Sequence, residues 1–141
     1  MLYDLIRFTA KKTGLSDAQA RQALGILFNT AERQGASMVQ VVFDHVPGAR
    51  LLSTSTGIQT GAATGPIAQL IEQTPGGRRH MAMTMFSRFH EIGLGHEQVS
   101  RLLGCVGTYM KKTHKVDGIG HLGDLVAVDA AHEDVPHRAV A

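Results

Sequence analysis

The chain has 141 residues, 43% hydrophobic and 18% charged, with a net charge of +2 when its eight histidines are neutral. That balance excludes a disordered chain, and the length suits one domain that closes a core without metal or disulfide staples. The small charge demands no polyanionic partner, and the lone cysteine, Cys105, excludes an intrachain disulfide.

Residues 2–13 place Leu2, Leu5, Ile6 and Thr9 on one helical face, and Gly14 is a stop signal. Ser16 or Asp17 supplies the side-chain oxygen that the next helix needs for its first-turn donors. That helix is predicted to run to about Gln34, with Ala20, Ala23, Leu24, Leu27 and Ala31 on its apolar stripe, and Gly35 ends it.

A third helix, about 36–46, turns Met38, Val41, Val42 and His45 to the core and stops near Pro47-Gly48. Its β-branched content would also suit a strand, but no second strand is available to pair with it. Val39 and Phe43 fall off the main stripe and are expected to form an exposed apolar patch.

Residues 47–65 are rich in Ser, Thr, Ala and Gly and read as a loop of functional length, tacked to the core at Leu51 and Leu52. Pro66 opens a short helix, Ile67 to Gln73, and Pro75-Gly76-Gly77 breaks the chain. Residues 78–92 carry Met81, Met85, Phe89 and Ile92 on one face. Residues 96–113 carry Val99, Leu102, Leu103, Val106 and Met110 on another. A last helix is held by Ile119, Leu122, Leu125 and Val126, and a polar tail follows from about Asp129.

The two halves repeat each other. Gly14-Leu15, Gln19 and Leu24-Gly25 recur as Gly93-Leu94, Gln98 and Leu103-Gly104, all displaced by 79 residues. A repeated unit this short cannot bury its apolar face alone, so the copies pack together. The expected fold is all-α: two repeated three-helix units packed as one bundle and joined by a Gly-rich linker. The first unit spans about 1–46, the linker 47–77 and the second unit about 78–128, with residues 129–141 as the tail.

The Gly-Leu-Ser-x-x-Gln-Ala pattern at Gly14 to Ala20, with Leu24-Gly25 after it and Val46-Pro47-Gly48-Ala49 before Leu51-Leu52, resembles a bacterial family of small helical proteins of unknown function, the VcgC/VcgE type. The resemblance covers about residues 5–127. It implies an all-helical fold and supplies no activity, cofactor or catalytic residue. The basic cluster Arg78-Arg79-His80 departs from it.

Four functional readings fit parts of this pattern. Gln98 to Met110 has the spacing of a helix-turn-helix with its turn at Gly104, which would give a DNA-binding surface of Arg101, Thr108, Lys111, Lys112 and Lys115. Against it, Val99 to Met110 reads as one uninterrupted helix. Nucleic acid is therefore the alternative and not the favoured partner. His80 with Met81, Met83 and Met85 contains soft ligands, but alternate helical positions point apart, and no histidine pair has the His-x-x-x-His spacing. No metal or cofactor is expected.

Asp44-His45 and Cys105 could be set out as acid, base and nucleophile, but the cysteine lies in mid-helix and no nucleophile elbow is present. No enzyme is expected. Small residues (Ala18, Ala20, Ala23, Gly25, Gly104, Gly107) let helices approach closely, which favours a protein-interaction or self-assembly module. Its expected contact surface is Val39, Phe43, Leu51 and Leu52, and its expected partner another protein or a second copy. The start of the chain lacks a secretory signal pattern, and no apolar run reaches the roughly 18 residues of a membrane span. The expected location is the cytoplasm.

Overall fold

The computed structural model describes residues 2–33, 37–60 and 75–116. Among the described residues there are six helices and no strand: α1 (Leu2–Thr13), α2 (Asp17–Arg33), α3 (Ser37–His45), α4 (Ala49–Thr60), α5 (Pro75–Glu91) and α6 (His96–His114). The fold is all-α, as the periodicity requires. No helix there is long and apolar enough to cross a membrane.

The centre is α2. Ala20, Ala23, Leu24, Gly25, Ile26, Leu27, Phe28, Thr30 and Ala31 are all buried. A helix apolar on most of its circumference must be enclosed, and α2 packs against α1, α3, α4 and α5, while α1 carries α6 on another face. Each fully buried large side chain, such as Leu24, Leu27 or Phe28, contributes about 1.5–3 kcal/mol of transfer free energy.

The two glycine joints are built alike. After α1, Gly14 has φ +74°, and after α5, Gly93 has φ +96°. This left-handed region favours glycine. In both joints the leucine that follows donates its N–H five residues back: Leu15 to the Ala10 carbonyl (3.1 Å) and Leu94 to the Phe89 carbonyl (2.9 Å). Both leucines are buried.

Glutamines then tie each joint to the other. Gln19 Oε1 accepts from the Ser16 N–H (3.1 Å), Ser16 Oγ accepts from the Gln19 N–H (3.1 Å), and Gln19 Nε2 donates to the Ile92 carbonyl (3.1 Å). Gln98 Oε1 accepts from the Gly95 N–H (2.9 Å), and Gln98 Nε2 donates to the Thr13 carbonyl (3.3 Å). Each glutamine thus caps its own helix and satisfies a terminal carbonyl of the other pair.

Two expectations are corrected. The supposed Gly-rich linker holds α4, a 12-residue helix over Ala49–Thr60. Its Ser, Thr and Gly content gives weak helix propensity, but Ala49, Leu52, Ser53, Thr56 and Gly57 share one buried face, and packing on α2 overrides propensity. Pro75-Gly76-Gly77 is the first turn of α5 and not a break. Proline suits that place because its missing N–H has no intrahelical partner there. The third helix, by contrast, is present as expected, over Ser37–His45. The expected helices at 67–73 and around 119–126, and the tail from 129, lie outside the described residues.

Close approach fixes how α4 sits. A Cβ placed on Gly25 would collide with Thr56 Oγ1 and press on Leu52 Cδ1 at 3.3 Å. Asn29 Nδ2 donates to the Ser53 carbonyl (3.2 Å) and Ser53 Oγ to Glu32 Oε1 (2.8 Å), so the two helices run antiparallel in a fixed register. Gly25→Ala is expected to cost about 1–3 kcal/mol in urea denaturation, the range for overpacking a filled site. Thr56→Ala in the same chain should return part of that loss. A neutral Gly25→Ala would show that this approach does not register α4.

Candidate interaction groove

The face of α6 turned toward α1 is a surface cleft. Phe8 and Lys12 of α1 line it with Ser100, Arg101, Gly104, Cys105 and Thr108 of α6, around a volume of about 500 Å³. Ser100, Gly104 and Thr108 recur every fourth residue, so small side chains run along one stripe of the helix. The wall on the α1 side is aromatic. Phe8 packs at a tilt on Tyr109 (centroids 5.6 Å apart), and the Lys12 ammonium lies 5.7 Å from the Phe8 ring centre.

Polar groups in the cleft are mostly committed. Thr108 Oγ1 donates to the Gly104 carbonyl (3.1 Å), and Arg101 is paired with Glu97 one turn earlier on the exposed surface. Burial pushes the Cys105 thiol upward, and the nearby Lys12 charge offsets this only in part. A protonated, buried thiol is a poor nucleophile. Burial also raises the Tyr109 phenol, as does the negative charge of Asp4, against a lowering hydrogen bond from Thr113.

The positions singled out for DNA binding all belong to one helix or its cap. Residues 96–114 form α6 without interruption, so the expected turn at Gly104 does not exist. Arg101 and Thr108 line the cleft, Lys111 and Lys112 are exposed in the last turn, and Lys115 caps the helix at φ 58°. The seven residues of the cleft include only these first two, and sequence reasoning missed the contribution of Phe8 and Lys12. The available signal was the repeat itself: Gly104 and Thr108 stand where the first half has Gly25 and Asn29.

The expected contact surface is largely overturned. Val39 (0% exposed), Phe43 (8%) and Leu52 (6%) belong to the core. Their helices are covered from more than one side, because α3 packs on both α2 and α4. Phe43 meets Phe28 edge-on at 6.0 Å and is capped by the Arg50 guanidinium at 4.8 Å. Arg50 is held in turn by Gln40 (2.6 Å) and Glu32 (3.5 Å). Only Leu51 is exposed, on the outer face of α4 that also carries exposed Ile58.

A second cleft, about 290 Å³, lies between α5 and α6 and is lined by Phe86, His90, His96, Val99, Ser100 and Leu103. Among the described residues no three His, Cys, Asp or Glu side chains gather as a metal-binding group. Comparison with protein families, with characterised proteins and with solved structures finds no match.

Because the Cys105 thiol holds its proton, it should react with a disulfide reagent at neutral pH at least about tenfold more slowly than a cysteine in an unfolded peptide. Equal rates would overturn the burial. Both Cys105 and Tyr109 keep their protons more tightly when folded. Their contribution to stability is therefore complete below the ordinary thiol and phenol values and is lost as pH climbs toward the raised ones. Urea midpoints should fall above about pH 9.

Proposed function

We propose that this chain is a non-enzymatic interaction and self-assembly module whose contact face is the α1–α6 groove, and that the groove accepts one amphipathic helix of another chain, a second copy being the favoured one. One observation carries this reading. Within the chain, α4 docks on α2 across Gly25 and Asn29, and α6 offers Gly104 and Thr108 at the repeat-equivalent positions as a cleft. A small-residue stripe of this kind lets helix backbones approach closely. A fitting helix presents small and apolar residues at the spacing of Ala49, Leu52, Ser53, Thr56 and Gly57.

The rim favours acidic flanks on that helix, since Lys12 lines the cleft and Lys111 and Lys112 extend the basic edge of α6. A buried Cys105 thiol that holds its proton supports binding over nucleophilic catalysis. A chain with one unpaired thiol is suited to the reducing cytoplasm, where we place it. Membership of the VcgC/VcgE-type bacterial family is proposed on the turn and packing residues alone.

Nucleic acid is the second reading, and Lys111, Lys112 and Lys115 at one exposed helix end are what favour it. Without a turn at Gly104 these cations would contact phosphates and not base edges. Any such binding should weaken steeply with salt and lose about one unit of salt slope for each lysine replaced.

The deciding experiment is light scattering coupled to size exclusion at about 0.1 and 0.5 M salt. Self-assembly through the groove should give a mass above 15.1 kDa that persists at high salt. Ser100→Arg or Thr108→Arg, both at exposed positions, should return the mass to that of the monomer. A monomer at every concentration, or an oligomer indifferent to both substitutions, would overturn the reading.

A further inference from the structure

Two histidines meet away from the groove. His45 ends α3 and His114 ends α6, and their rings lie 5.6 Å apart in edge contact. Tyr109 also meets the His114 ring edge-on, with centroids 5.7 Å apart. His45 Nδ1 lies 2.9 Å from the Val41 carbonyl one turn back. A carbonyl only accepts, so this nitrogen carries a proton, and in the neutral ring the lone pair is on Nε2. His114 Nε2 is buried and has no hydrogen-bond partner among the described residues.

We propose that His45 and His114 form a site for an imidazole-preferring transition-metal ion, with Zn²⁺ and Cu²⁺ as the representative ions. Three independent observations support it. A buried ring nitrogen without a partner is rare and asks for one that the described residues do not supply. A histidine whose other nitrogen is tied to a backbone carbonyl is oriented as metal-bound histidines are. Both side chains sit at helix C-termini, where free carbonyls carry partial negative charge and favour a cation.

Two imidazoles without a thiolate or carboxylate suit Zn²⁺, Cu²⁺ or Ni²⁺ and not Ca²⁺ or Mg²⁺. Among the described residues no third His, Cys, Asp or Glu completes a set. The remaining positions belong to water or to an incoming ligand, as in an open site and not a closed structural one. Exposed His45 gives the ion its entry, and half-buried His114 gives the inner ligand.

Titration calorimetry with ZnCl₂ and with CuSO₄ tests this on the full chain, without an affinity tag. One equivalent is expected to bind ahead of any weaker sites on the other histidines. His45→Gln and His114→Gln should each weaken that equivalent by at least about tenfold, since losing even an outer-shell partner costs 10- to 100-fold. Exposed His96→Gln should leave it unchanged. The nitrogen hyperfine pattern of bound Cu²⁺ should show two imidazoles in the parent chain and one in each variant. Helical circular dichroism identifies a variant that fails to fold, and His45→Ala, at an exposed position, then serves in its place. Binding that neither substitution weakens, or a Cu²⁺ signal unchanged in both, would overturn the site. So would the absence of a binding equivalent, which would mean that His114 Nε2 is met by water.

Discussion

The fold depends on an exchange of side-chain amides between two helix joints. An isolated helical hairpin leaves carbonyls open at the end of its first helix and N–H groups open at the start of its second. Gln19 and Gln98 each close one group of both kinds, on opposite sides of the same contact. Neither bond is strong by itself, at about 0.5–1.5 kcal/mol net. Their value is geometric. Because each amide must reach both its own helix start and the other hairpin's end, the α1–α2 and α5–α6 pairs can meet in only one register.

That register decides which helix faces remain for other uses. With the joints together, α2 is drawn to the centre, and α1 lies between α2 and α6. The outer face of α2 is then closed by α4, whose small inward residues match Gly25 and Asn29. Among the described residues, the matching stretch of α6 faces Phe8 and Lys12 across a cleft. Equivalent positions in the two halves thus end in different surroundings, one filled and one a groove. The sequences already differ in that direction. Asn29 reaches over to the Ser53 carbonyl, whereas Thr108 at the equivalent place turns its hydroxyl back to the Gly104 carbonyl of its own helix.

Much of this was legible in the sequence, and what was not has a physical reason. The helices α1 and α6 show their period plainly because each has one apolar stripe, and α2 is legible because it is apolar on most sides over a helical length. The joints were legible because Gly14 and Gly93 each precede a leucine and a glutamine at the same spacing. Helix α4 was hidden because its inward face is made of Ala, Ser, Thr and Gly, a composition that also describes loops. Close packing, and not side-chain hydrophobicity, makes that face interior. Val39 and Phe43 were misplaced because a stripe counts one covered side, and α3 is covered by both α2 and α4. The groove was illegible because its opposite wall, Phe8 and Lys12, comes from α1, and no local pattern states which helix lies opposite Gly104.

The groove and the histidine pair are joined by aromatic contact. Phe8 walls the groove and packs on Tyr109, Tyr109 packs on His114, and His114 packs on His45. Four rings therefore link the helix-accepting face to the converging ends of α3 and α6. Ring packing at native density does not yield by small continuous amounts. An ion that orders the two imidazoles would hold Tyr109, and through it Phe8, in the position that shapes the groove wall. Coupling of this kind needs no second fold. It needs only that the outermost rings be freer without the ion than with it, so that ordering them once serves both sites. The direction follows from the same reasoning: an ion at the histidines should strengthen a helix in the groove, and by linkage the helix should strengthen the ion by an equal factor.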